Sequence, residues 1–181
     1  MLVDSHCHID LPELAANLPQ VLGLMHDNDV GCVMCIGVTL EDFPRVRSLA
    51  ESNRTIFASV GVHPETTDVR EPSIADLVVL AQHPKVIAIG ETGLDYYWHK
   101  DAPEWQRERF RVHIRAAIEA GKPLVVHNRD ATADTLRVMA EERAGQVGGI
   151  LHCFTESWEV AEAALDLGFH ISLSGIVTFK N

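Results

Sequence analysis

The residues of this chain that could do chemistry begin with Asp4-Ser5-His6-Cys7-His8-Ile9-Asp10. Leu2-Val3 ahead of them is apolar and β-prone, so the stretch reads as a first strand running into a loop. Strand side chains alternate faces, which puts His6 and His8 on one side and Cys7 on the other. Two neutral imidazoles side by side make half of a site for zinc, manganese or a similar ion. A His-x-His pair alone fits two surface histidines equally well, so the rest of the chain has to decide. Four further ionisable residues close apolar runs: His63 in Gly61-Val62-His63-Pro64, Glu91 in Gly90-Glu91-Thr92-Gly93-Leu94-Asp95, His127 after Leu124-Val125-Val126, and His152 after Gly149-Ile150-Leu151.

The elements that must position these residues follow from periodicity. After the opening strand, β-prone runs at 31–38, 55–62, 86–89, 124–127, 149–152 and 170–174 alternate with helix-period runs at 18–28, 40–53, 73–82, 104–120, 131–142 and 157–168. The clearest helix is 104–120. Phe110, Ile114, Ala117 and Ile118 recur on one face, Arg107, Glu108, Arg111, Arg115 and Glu119 face away, and Gly121 ends it. Ser157 is placed to cap the last helix, with Val160, Ala163, Ala164 and Leu167 inside.

Regular strand–helix alternation means a parallel sheet covered by helices. Eight such units close into a TIM barrel. The expected fold is therefore α/β, a (β/α)8 TIM barrel forming one domain over 1–181 and truncated after strand seven, lacking the last strand and C-terminal helices. The first and seventh strands would then be open edges.

In a parallel barrel the C-terminal strand ends converge on one mouth. His6, His8, Glu91, His127 and His152 gathered there would hold one or two divalent ions, and Glu91 is the acid placed to bridge two ions through its two oxygens. Each residue has a plainer reading. Glu91 could belong to a tight turn, His127 to a core, and His152 to the packing beneath a helix. Their coincidence at one rim is what favours a metal site. His63, Asp95 and Arg129 lie near the same rim as candidates for substrate or supporting contacts. A guanidinium suits phosphate, though loop structure alone accounts for all three. His26, His83, His99 and His113 are expected at the surface or in packing, and His170 begins a strand at the end remote from the mouth.

Composition bounds the partners. The net charge is −11, from 15 Lys+Arg against 26 Asp+Glu, so no basic face for gripping a long polyanion is advertised. Contact with a polyanion would have to be local, at a bound cation or a few arginines. No apolar run has membrane-spanning length, no signal-peptide pattern opens the chain, and a cytoplasmic location with no obligate protein partner is expected. Cys32 and Cys35 form a Cys-x-x-Cys, but residues three apart on a strand face opposite sides, so buried cysteine is the simpler account.

Taken in order, Asp-Ser-His-Cys-His (4–8), Gly-Val-His-Pro (61–64), Gly-Glu-Thr-Gly-Leu-Asp-Tyr-Tyr (90–97), Val-Val-His-Asn-Arg (125–129), Leu-His-Cys-Phe (151–154) and Ser-Leu-Ser-Gly-Ile-Val-Thr-Phe-Lys-Asn (172–181) resemble the TatD family of metal-dependent hydrolases, deoxyribonucleases within the amidohydrolase-like barrels. The resemblance covers the whole chain. It implies two divalent metals (Mg, Mn or Zn), with His6 and His8 matching the ligands of one, Glu91 the bridging ligand, and His127 and His152 the ligands of the other. Thr92 stands where many members carry an apolar residue. The family's Asp on strand eight lies outside this sequence, which leaves the implied ligand set short by one. The activity implied is 3′-5′ exonucleolytic cleavage of DNA, single-stranded or at 3′ ends, by a two-metal-activated water, with Glu91 as the catalytic carboxylate. Two other readings stay open. One is an amide, ester or lactone hydrolase of the wider superfamily, many of whose members bridge their metals with a lysine; Lys100 and Lys122 are not at strand ends. The other is an inactive metal-binding fragment.

Overall fold

The computed structural model describes residues 1–101 and 103–180. Seven strands form one parallel sheet in chain order: β1 (Leu2–Cys7), β2 (Val30–Cys35), β3 (Ile56–Val60), β4 (Val86–Asp95), β5 (Leu124–Arg129), β6 (Gly149–Leu151) and β7 (Phe169–Ile171). Among the described residues seven α-helices lie between the strands: α1 (Pro12–Ala15), α2 (Leu18–Asp27), α3 (Phe43–Ser52), α4 (Ile74–Ala81), α5 (Glu104–Ala120), α6 (Thr132–Glu141) and α7 (Trp158–Asp166). The sheet curls into an open barrel with β1 and β7 as its edges. The edges approach each other, with Ser5 Oγ and Ser172 Oγ 3.2 Å apart.

Two apolar layers hold this shape. The larger lies between sheet and helices and includes Phe43, Ile56, Leu77, Ile89, Phe110 and Leu124. The smaller fills the barrel interior with Met34, Ile36, Ala88 and Val125. Local chemistry sets element ends as well. Ser73 and Asp76 form a capping box at the start of α4, each side chain accepting from the other's backbone N–H; such a cap contributes about 1 kcal/mol. At the end of α5, Gly121 takes the left-handed conformation at φ 62°.

Three expectations are corrected by the structure. The fourth strand does not end at Ile89 but runs through Gly90-Glu91-Thr92-Gly93-Leu94 to Asp95. Gly90 (φ 137°) and Gly93 (φ 134°) are not turn residues. They let β4 press against β5, where a Cβ would lie 2.5 Å from Val125 O and 2.0 Å from His127 O respectively. The last strand is Phe169–Ile171, and its His170 pairs with Ile150 of β6. Ser157 occupies the N-cap of α7 without a side-chain capping bond, and Ala161 and Ala164 are the buried residues of that helix. The Cys-x-x-Cys residues do not pair. Cys35 is buried, lies in register with Cys7 and donates its thiol to Asp10 Oδ1 at 3.4 Å.

Candidate metal centre

His6 is the penultimate residue of β1 and His8 follows it by two residues, so alternation turns both imidazoles to one side. Their Nε2 atoms lie 3.3 Å apart. Glu91, on the inner side of β4, is only 3% exposed. Its Oε2 is 3.2 Å from His6 Nε2. Its Oε1 is 3.2 Å from His127 Nδ1 and 3.7 Å from His63 Nε2. His63 Nε2 and His127 Nδ1 are 3.3 Å apart. The carboxylate therefore stands between two donor groups, His6–His8–Glu91 and His63–Glu91–His127, each with one ligand atom per residue within 4.8 Å of the others.

Of the sequence-selected residues, His6, His8, Glu91 and His127 are brought together, and His63 joins His127 rather than standing aside. His152, beyond β6, is placed differently. Its ring stacks on His6 with centroids 3.2 Å apart and planes 10° apart. Buried Nδ1 atoms of His6 and His152 have no hydrogen-bond partner. Asp95, at the end of β4, is buried, and its Oδ2 lies 3.0 Å from His127 Nε2. Arg129 is exposed at the end of β5, its guanidinium 3.9 Å from the Tyr97 ring centroid. Arg129, His127 and His152 line one cavity of about 370 Å³. On the other side, His8, His63, Glu91, Glu65 and Thr66 line a groove of about 310 Å³.

The protonation states suit cation binding. Burial works to raise the Glu91 pKa, but hydrogen bonds from His127 and His6 and the pull of the surrounding imidazoles hold it well below the usual carboxylate range. Burial pushes His63 and His152 down to about 4 and also lowers His8, so these imidazoles are neutral at pH 7 with lone pairs to offer. His127 differs: burial lowers it, but hydrogen bonds to Asp95 and Glu91 outweigh that and raise it to about 9. With Nε2–H donated to Asp95, the Nδ1 of a neutral His127 points at Glu91. A carboxylate behind an imidazole in this way fixes its tautomer and strengthens it as a ligand. Neutral imidazoles at His8, His63 and His152, with His127 giving up its Nδ1 proton on binding, around one ionised carboxylate are the donor set a borderline divalent ion takes, so the residues present fit such an ion.

The supports of this rim come from a stripe on α5 that sequence reasoning did not single out. Gln106, Arg109 and His113 are buried on the same face as Phe110 and Ile114. Gln106 Oε1 accepts from Asp95 N at 3.0 Å, and its Nε2 donates to Pro64 O at 3.0 Å. Arg109 Nη1 donates to His63 O and Thr66 O, both at 2.8 Å, while its Nε and Nη2 grip Glu71. His113 Nε2 accepts from Val62 N at 2.9 Å and its Nδ1 donates to Arg109 O at 2.7 Å. The signal was available: three polar residues at helical spacing on an otherwise apolar face. Among the described residues, no helix is long and apolar enough to cross a membrane.

A curled parallel sheet that gathers imidazoles and one buried carboxylate at its C-terminal rim defines a metal-dependent hydrolase of the TIM-barrel class. The family model described as TatD related DNase matches residues 3–181, and the chain belongs to that family. It is 44% identical over 184 residues to the uncharacterized metal-dependent hydrolase YcfH of Escherichia coli K12, covering 99% of this chain and 69% of the relative. To the uncharacterized metal-dependent hydrolase YabD of Bacillus subtilis it is 39% identical, covering 100% of this chain and 71% of the relative. A relative from Citrobacter koseri named 3′-5′ ssDNA/RNA exonuclease TatD is 32% identical over 149 residues, 82% of this chain and 57% of the relative. Among solved structures, the TatD homologue YjjV from Escherichia coli superposes with a TM-score of 0.88 at 25% identity, covering 98% of this chain and 70% of that one.

Proposed function

We propose that this protein hydrolyses phosphodiester bonds of single-stranded DNA from the 3′ end, with two divalent ions sharing Glu91. The observation that carries the proposal is the position of Glu91, whose two oxygens face different imidazole pairs, His6–His8 on one side and His63–His127 on the other. A carboxylate so placed suits a pair of ions held a few ångströms apart, as in enzymes that clamp a phosphodiester. When bound, such ions lower the pKa of water and neutralise charge on the phosphoryl oxygens. His6 and His8 would hold one ion, and His127 with His63 or His152 the other. Asp95 keeps the Nδ1 of His127 turned toward Glu91. Arg129, on the cavity it shares with His127 and His152, offers a guanidinium to a phosphate. The name of the Citrobacter relative supports a nucleic-acid substrate. The acidic balance of the chain favours contact with one or a few nucleotides over a long duplex.

A pairing of the two ions by lysine, as in many amide and lactone hydrolases, finds no support. Lys122 Nζ is bonded to Val86 O at the opposite end of β4. The test is release of nucleotides from a 3′-labelled single strand with Mg²⁺ or Mn²⁺, run beside a panel of esters and lactones. Metal-dependent, EDTA-sensitive release is expected. Protein with bound metal that turns over an ester or lactone but no strand would overturn the proposal in favour of the wider superfamily's chemistry.

A further inference from the structure

Beside the mouth lies an aromatic surface with no part in holding a metal. Trp98 is 58% exposed and Tyr97 42% exposed, an unusual display for two large rings in adjacent positions. They are not loosely held. Asp95 Oδ1 accepts the backbone N–H of Tyr97 at 3.0 Å and of Trp98 at 3.1 Å. The two rings meet edge to face at 4.8 Å. Arg129 lies over Tyr97, with its guanidinium 5.9 Å from the Trp98 centroid. The same Asp95 bonds His127 through its other oxygen, so a single carboxylate separates the aromatic pair from the centre. Arg129 also lines the cavity that His127 and His152 share.

We infer that Tyr97, Trp98 and Arg129 form a base-stacking subsite, in which the open face of Trp98 stacks an unpaired nucleobase while Arg129, oriented by Tyr97, faces the adjoining phosphate. The inference rests on the nucleic-acid reading above and names the part of the substrate this surface takes. One observation and one requirement of stacking favour an unpaired base over another occupant. A chain of net charge −11 has few cations to bind a polyanion electrostatically, so part of the affinity has to come from elsewhere, and base–aromatic stacking supplies it in a form tolerant of sequence, because every base has a π-face. Stacking also needs a base free of its partner, because a paired base inside a duplex has both faces covered. The subsite therefore selects single strands, or frayed ends, without reading sequence.

The experiment is an abasic scan. Fluorescein-labelled hexathymidylate, and six versions each with one abasic residue, are titrated into protein with Ca²⁺ for affinity and with Mn²⁺ for kcat and KM. In the native protein one abasic position is expected to weaken binding by roughly 5- to 100-fold, through KM more than kcat. Trp98→Ala should bind intact hexathymidylate as weakly as the native protein binds that abasic strand, and should no longer discriminate between the two. Trp98→Phe should keep most of the discrimination, which a merely structural role for Trp98 would not predict. Equal discrimination by native protein and Trp98→Ala, or no binding of any strand, overturns the subsite. The two readings fail separately. Trp98-dependent binding without cleavage removes the hydrolytic proposal and leaves the subsite. Cleavage that ignores both the abasic residue and Trp98→Ala removes the subsite and leaves the hydrolysis.

Discussion

Acidification should loosen the mouth through His113, which touches no substrate. Its imidazole is fully buried, and burial pushes its pKa down from 6.5 to about 4. Both ring nitrogens are committed, Nδ1 as donor to Arg109 O and Nε2 as acceptor from Val62 N. A proton added at Nε2 would point at the Val62 N–H across 2.9 Å, donor against donor. The neutral form is therefore native, while an unfolded histidine takes up its proton near pH 6.5. The folded pKa being the lower, stability is fully present above pH 6.5 and is lost as pH falls toward 4. At pH 5 the loss is 1.5 pH units at 1.36 kcal/mol each, about 2 kcal/mol from this residue alone. Urea denaturation of the metal-free protein at pH 7.5 and pH 5 measures the total, and His63 and His152 add to it for the same reason. In His113→Gln, whose amide oxygen can still accept from Val62, the drop between the two pH values should be smaller by about 2 kcal/mol. An unchanged drop, or a His113 ring that titrates near 6.5 by NMR, would refute the reasoning.

Further outcomes follow from the same geometry. Glu91→Gln keeps the shape of the side chain but removes the charge shared by both donor groups, so Mn²⁺ affinity by calorimetry should fall by at least about 100-fold with the fold intact by circular dichroism. Mn²⁺ uptake at pH 7 should release close to one proton from His127, whose pKa of about 9 leaves it charged there, and apparent affinity should rise roughly tenfold per pH unit from 7 toward 9; calorimetry in buffers of different ionisation enthalpy reads both. Arg109→Met strips the hydrogen bonds from His63 O and Thr66 O and should destabilise by about 2–4 kcal/mol in urea, with Glu71 simply returning to water. Gly93→Ala sets a Cβ 2.0 Å from His127 O and should cost more than about 3 kcal/mol or prevent folding, read as a thermal melt.

The alternation of seven strands with helices was legible because it rests on apolar periodicity, which is local. The gathering of His6, His8, Glu91 and His127 was legible because strand ends in a parallel barrel must meet. The length of β4 was not. Gly90 and Gly93 read as turn residues in one dimension, and only the neighbouring strand shows that their missing side chains make room for Val125 and His127. The separate parts of His63 and His152 were hidden for a similar reason. Both follow apolar runs, but which imidazole faces Glu91 and which stacks on His6 depends on the curvature of the sheet. Gln106, Arg109 and His113 were in plain view at helical spacing, yet polar residues on a helix read as solvent-facing until their partners are known.

Those three residues explain how an open barrel can keep a precise rim. The pairing of β3 with β4 stops at Val60 and Ile89, before His63, Glu91 and Asp95, so the sheet's own hydrogen bonds between these two strands run out short of the site. α5 supplies replacements. His113 holds Val62, Arg109 holds His63 and Thr66, and Gln106 ties Pro64 to Asp95. On the His6–His8 side the anchor is shorter: Arg45 of α3 donates Nε and Nη2 to Asp10 Oδ2 at 3.2 and 2.9 Å, two residues beyond His8, while His6 itself meets Glu91 and stacks on His152. The two halves of the centre are thus held from different helices, one by the buried polar stripe of α5 and the other by Arg45 of α3 and the ligands' own packing. Damage to α5 should therefore weaken the His63–Glu91–His127 group first and leave His6–His8 with much of its affinity. That asymmetry separates a scaffold effect from general unfolding, which would release both groups together.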